Sequence, residues 1–429
     1  MTDTTIASIL ARRVWDSRGR PTVEAEVRLG GGARGRAIAP AGASRGTHEA
    51  IDLRDGGAAL GGMDVTLALG NVNGPIAARL QGMDATDQSR VDAELIALDN
   101  TANKARLGGN ATIAVSMAIL HAAAMANDMP LYAWLAAGNP VRLPLPEIQI
   151  FGGGAHAGRR VDIQDFMVIA TGARTFAEAL TMTAEVYRAA GQAMSDAGKL
   201  QGVADEGGFW PVFDSNEEAL GMLTRAIEKA GYRPGEDMAI SLDIAASEFG
   251  RDGRYTLGLD RRELDRDGMI AMLLDWCGRY PIVSIEDPLA EDDREGMRAF
   301  TAAIGGRIQI IGDDYLVTSA GRVDAAASDR ACNAVLIKPN QAGTVTETRA
   351  ALDAGQRAGF GTIVSARSGE TEDVTIVHLA TGWNAGQLKV GAFARSERMA
   401  KWNEALRVEE ALGPDAVFAG RAALAVNPW

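Results

Sequence analysis

Residues 281–314 read PIVSIEDPLAEDDREGMRAFTAAIGGRIQIIGDD. Two short apolar runs, PIVSIED (281–287) and IQIIGDD (308–314), each end in acids, and a longer segment with helical spacing separates them. The same unit recurs on both sides. DMAISLD (237–243) precedes it, and NAVLIK (333–338) and GTIVSAR (361–367) follow. Segments such as RRELDRDGMIAMLLDWCGRY and TVTETRAALDAGQRAG lie between the runs. Short apolar strands alternating with helices predict a parallel α/β architecture. Four of the five runs carry an acid or a lysine at the close: Asp243, Glu286, Asp313 and Lys338. In a β/α barrel the C-terminal strand ends form the mouth of the active site. Packing alone explains one such acid as a helix cap. It does not explain three carboxylates carried to one rim, where they repel unless a cation joins them. The donors are all oxygens, with no His or Cys, which suits Mg2+ better than Zn2+.

Before this repeat the pattern differs. Residues 5–55 read as β-rich, with TVEAEVRL (22–29) alternating. GGGARG (30–35) reads as a hairpin turn, because no strand–loop–helix context makes it a phosphate cradle. Residues 110–137 predict one long helix. The Pro-punctuated GNPVRLPLP (138–146) marks the boundary, giving an α+β domain over 1–137 and a barrel over 138–429.

The chain has 429 residues, and its net charge of −13 argues against nucleic acid and acidic membrane surfaces as partners. No apolar run approaches the ~20 residues of a membrane span, and MTDTTIASIL lacks the pattern of a signal peptide. Two cysteines, Cys277 and Cys332, imply no disulfide framework and fit a reducing cytoplasm.

From about residue 6 to 415 the chain resembles the enolase (phosphopyruvate hydratase) family. VWDSRGRPTVEAEV, GASRGTHEA, HAGRRVDIQDFM, ADEGGF, SLDIAASEF, SIEDPLAEDD, GDDYLVT, IKPNQAGT, RSGETED and GQLKVGAFARSER carry the resemblance in family order. It implies an α+β N-terminal domain before a TIM-like β/α barrel. It also implies that Asp243, Glu286 and Asp313 hold a tight Mg2+, with Ser44 of a lid loop on a second, substrate-dependent one. Lys338 matches the general base, and Glu206 the acid that assists departure of the hydroxyl. Lys389 matches a second lysine and His156 the histidine of another mobile loop. Arg367 and Ser368 match phosphate anchors. The chemistry requires Lys338 neutral, its pKa depressed by cations, and Glu206 protonated. The family further implies a homodimer or a larger ring of dimers.

Four positions depart from the family pattern. Ala366 stands where the family has His, Asp165 where it has Glu, Arg45 where it has Thr and Ala41 where it usually has Ser. Ala366 and Ala41 make room, Asp165 withdraws a carboxylate, and Arg45 adds a planar cation suited to an anion. Together they point to a small phospho- or phosphono-carboxylate with one extra anionic group. The expected product is carboxyphosphonoenolpyruvate, as in phosphonate antibiotic biosynthesis. The alternatives are an ordinary enolase acting on 2-phosphoglycerate, a non-catalytic enolase-fold binding protein, and another superfamily reaction such as acid-sugar dehydration.

Overall fold

The computed structural model describes residues 3–43 and 45–426. Ser44, the expected ligand of a second cation, lies outside the described residues.

The chain opens with an antiparallel meander of β1 (Ile6–Trp15), β2 (Pro21–Leu29) and β3 (Arg34–Ile38). The glycine run turns β2 into β3, with Arg28 opposite Arg34. The helix Gly109–Ala126 packs across β2 and β3. Its approach is close because Gly35 has no side chain: a Cβ there would meet the Ala118 carbonyl at 2.0 Å. Among the described residues this is the one helix long and apolar enough to cross a membrane, and 89% of it is buried inside the protein. The single helix expected over 110–137 is two, Gly109–Ala126 and Leu131–Ala136. Asp128 takes a left-handed φ of 52°, and Pro130 disfavours helical backbone at the residue before it.

The rest builds a closed barrel from β4 (Leu145–Gly152), β5 (Asp165–Ile169), β6 (Ala239–Asp243), β10 (Ile282–Glu286), β11 (Gln309–Gly312), β12 (Ala334–Ile337), β13 (Gly361–Ser365) and β14 (Gly386–Ala392). Three short strands, β7 (Gly250–Arg251), β8 (Arg254–Leu257) and β9 (Arg262–Asp265), form a small sheet after β6. Helices cover the barrel, and several start where the sequence supplies a cap. The side chains of Thr175, Ser215, Asp265, Asp293 and Thr344 each accept the backbone N–H three residues on.

The expected all-parallel order holds for β10 to β14 and fails at β5, which runs antiparallel to both neighbours. The connection from β4 to β5 carries only the 3-10 turn Gly154–Ala157 and no crossover helix. A chain that returns without a crossover helix pairs antiparallel.

Candidate active site

The barrel's C-terminal rim gathers most of the expected residues. Asp243 and Glu286 end β6 and β10 in register with each other. Asp313 and Lys338 follow β11 and β12 by one residue, and Arg367 and Ser368 follow β13. Lys389 lies inside β14, where the strand slips register before Gly391. Asp165 reaches the same rim because β5 is reversed: its first residue, not its last, stands opposite Asp243. His156, Asp165, Glu206, Asp243, Lys338, Ala366, Arg367, Ser368 and Lys389 line one tightly closed cavity of about 20 Å3.

Lys389 Nζ is the hub. It lies 2.9 Å from Asp243, 2.8 Å from Glu286 and 3.4 Å from Asp165. Burial alone would lower its pKa, but these three carboxylates outweigh burial and raise it well above the ordinary lysine range. Lys338 Nζ pairs with Asp313. Burial again opposes the charge, yet Asp313 and Glu286 raise the Lys338 pKa. The expected depression of Lys338 is therefore not found, because its nearest neighbour is an anion. A cation competing for Asp313 would reverse that balance.

Glu206 also differs from expectation. Burial pushes it up, but His156, Arg398, Lys389 and Lys338 together pull it below its usual value, so it is held as a carboxylate. His156 Nε2 stands 3.8 Å from Glu206 and 3.9 Å from Asp165. Asp165 moves the other way, raised mainly by its burial. Two neighbouring carboxyls of opposite tendency are what an acid–base site needs.

The fit of a divalent cation rests on Glu286. Its Oε1 is buried and has no hydrogen-bond partner among the described residues. Its pKa is raised well above normal by burial and by Asp243. An orphaned carboxylate oxygen beside two further acids is a fitting cation ligand. The three expected ligands are not, however, the tightest acidic sets. Those are His156–Asp165–Glu206 and Asp287–Asp313–Asp314, whose ligand atoms lie within 4.8 Å of one another. Lys389 bonds Asp243 and Glu286, while Lys338 and Gln341 hold Asp313.

Arg367 is fully enclosed. It donates to Glu49 at 3.0 and 3.2 Å and to Asn340 at 3.0 Å. Ser368 Oγ accepts the backbone N–H of Ala43. Ala41 exchanges two backbone hydrogen bonds with Gly369, docking the expected lid segment onto the loop that carries the expected phosphate anchors. Ala366 is 6% exposed and contributes only a methyl to the cavity wall. Arg45 is exposed and is not among the lining residues.

Sequence reasoning missed the supports of this site. Glu49 fixes Arg367, and Gln164 donates to Asp243. Arg398, with no exposure, donates to the carbonyls of Arg367 and Val390. All three lie within or beside the quoted motifs, but nothing in their spacing distinguishes a buried partner from a surface charge.

Two family models cover nearly the whole chain. The enolase N-terminal domain matches residues 6–135, and the enolase C-terminal TIM barrel domain matches 140–426. The chain belongs to the enolase family. Among curated proteins it is similar to Enolase 1 of Desulfitobacterium hafniense (strain Y51). The two are 50% identical over 423 residues, covering 98% of this chain and 97% of that protein. It is accordingly an enolase-type lyase, with a rim of acids able to hold a metal ion.

Proposed function

We propose that this enolase-family chain interconverts 2-phosphoglycerate and phosphoenolpyruvate. The observation that carries the proposal is one buried basin holding two lysines between two sets of carboxylates, closed by Arg367 and Ser368. Lys338 takes the proton from C2, and the electrons of that C–H bond form the C2=C3 double bond. The C3 hydroxyl leaves as water with a proton from Glu206, which must first be protonated despite its cationic neighbours. Lys389 balances the charge gathered on the substrate carboxylate. Arg367 and Ser368 hold the phosphate, Arg367 by its planar fork. Asp243, Glu286 and Asp313 are the proposed ligands of one Mg2+, and Ser44 belongs to a second, substrate-dependent site. When bound, these ions offset the negative charge the substrate carboxylate gains as C2 loses its proton. A homodimer or larger ring and a cytoplasmic setting belong to the same proposal. The two buried free thiols, Cys277 and Cys332, support the latter.

Sequence reasoning leaned instead to a carboxyphosphono substrate. Two findings favour the ordinary reaction. Enolase 1 of Desulfitobacterium hafniense is 50% identical to the chain, and Arg45, assigned to the extra carboxylate, is exposed. One observation favours the other reading: Ala366, with only a methyl side chain, lines the cavity together with Arg367 and Ser368.

Proton exchange in D2O with Mg2+ separates the two readings. Wild type exchanges the C2 hydrogen of 2-phosphoglycerate. Lys338→Ala loses exchange by about 10²–10⁴-fold, whereas Glu206→Gln retains exchange but loses water elimination. Exchange confined to a substrate bearing a carboxylate on phosphorus would establish the second reading.

A further inference from the structure

The segment 153–165 has two faces. One carries His156 and Asp165 into the catalytic basin. The other lines a separate cavity of about 670 Å3, whose walls include Gly158, Arg160, Asp162, Trp210, Glu248 and Phe249. The catalytic chemistry uses none of these residues.

The cavity's charged groups are unevenly satisfied. Glu248 pairs with Arg159 at 2.6 Å. Asp162 accepts from Asn216 and from the backbone N–H groups of Gly258 and Leu259. Arg160 is half-buried and makes no ion pair or side-chain hydrogen bond among the described residues. The Trp210 indole N–H, also half-buried, has no partner among them either. Trp210 lies against the turn at Gly158, where an added Cβ would sit 3.8 Å from the indole edge. Two unpartnered donors, one cationic, thus face a cavity walled by Trp210, Phe249 and Leu259.

We infer that this cavity binds an aromatic monocarboxylate, on the outer face of the segment that carries His156. The carboxylate takes the Arg160 guanidinium and the Trp210 N–H, and the ring lies on the apolar wall. A monoanion fits better than a phosphate dianion, because Glu248 already pairs the lining's other guanidinium, Arg159, and Asp162 repels a second charge. The backbone ties this wall to the catalytic basin. Asp205, next to Glu206, donates its N–H to the His156 carbonyl at 3.1 Å. An occupant therefore bears on where His156 stands, and site and basin are coupled reciprocally.

The test is isothermal titration of the full chain with 2-naphthoate, which needs no turnover and so stands whether or not 2-phosphoglycerate is the substrate. Saturable one-to-one binding is expected, weakened about tenfold or more by Arg160→Gln, since a charge-assisted bond is lost. Trp210→Leu should weaken it comparably. Arg160 has no side-chain partner to lose among the described residues, so its variant keeps the fold, as circular dichroism would verify. No saturable binding, or binding that both variants leave unchanged, overturns the inference.

Discussion

His156 and Arg398 pull Glu206 below its usual value and hold it as a carboxylate, against its burial. Three strand-end acids and Lys338 were legible because an apolar strand seldom ends in charge without reason. The ionisation of Glu206 was not legible, since it depends on His156 and Arg398, which arrive from distant segments. Glu147 is a sharper case. It sits in β4 with no exposure, opposite Lys389. Its nearest donors, Gln309 and Ser241, are 3.4 and 3.5 Å away. Burial, partly offset by Lys389, pushes its pKa from the usual 4.5 up to about 7. Below the unfolded value both states are protonated. As pH rises from there to the folded value, the unfolded chain releases a proton that the folded chain keeps, and stability falls. Glu147→Gln removes that loss. Its unfolding free energy, from urea titration, should match wild type at about pH 4 and exceed it by about 3 kcal/mol at about pH 8. A pH-independent difference would contradict this account of the buried carboxyl.

At the scale of elements, periodicity located the strands of the repeat to within a residue or two, because each is a continuous buried run. It could not give direction. The reversal of β5 follows from a short connection, and it is this reversal that brings Asp165 to the rim. The helix Gly109–Ala126 offers a test of close packing. Gly35 of β3 lies so near it that a Cβ would meet the Ala118 carbonyl at 2.0 Å and the Ala122 nitrogen at 2.3 Å, both backbone atoms that cannot swing aside. Gly35→Ala should force helix and sheet apart and cost about 1–3 kcal/mol, read as a lower denaturation midpoint. An unchanged midpoint would show that the helix is free to shift.

At the scale of the whole molecule, polar contacts lock the N-terminal elements onto the barrel. Asp92, with no exposure, accepts from Ser116 at 2.6 Å and from the Thr346 N–H and hydroxyl at 2.8 and 2.6 Å. Thr346 opens the barrel helix Val345–Arg357, so one carboxylate joins the two parts. Lys104 reinforces the joint through Glu347 at 2.8 Å. Nothing in the sequence marks Asp92, because two of its partners, Ser116 and Thr346, lie 24 and 254 residues along the chain. Asp92→Ala leaves buried donors unmet. It should cost about 3 kcal/mol and broaden the urea transition as the two parts begin to unfold separately. A sharp transition at the wild-type midpoint would show that the joint carries no load.

The most direct measurement is the ultraviolet absorbance of enol product when the purified protein meets 2-phosphoglycerate, with Mg2+ and again with a chelator. Turnover near the ~10 s⁻¹ typical of enzymes, abolished by the chelator and by Lys338→Ala, is the predicted result. No turnover with Mg2+ present and the fold intact would contradict the assignment.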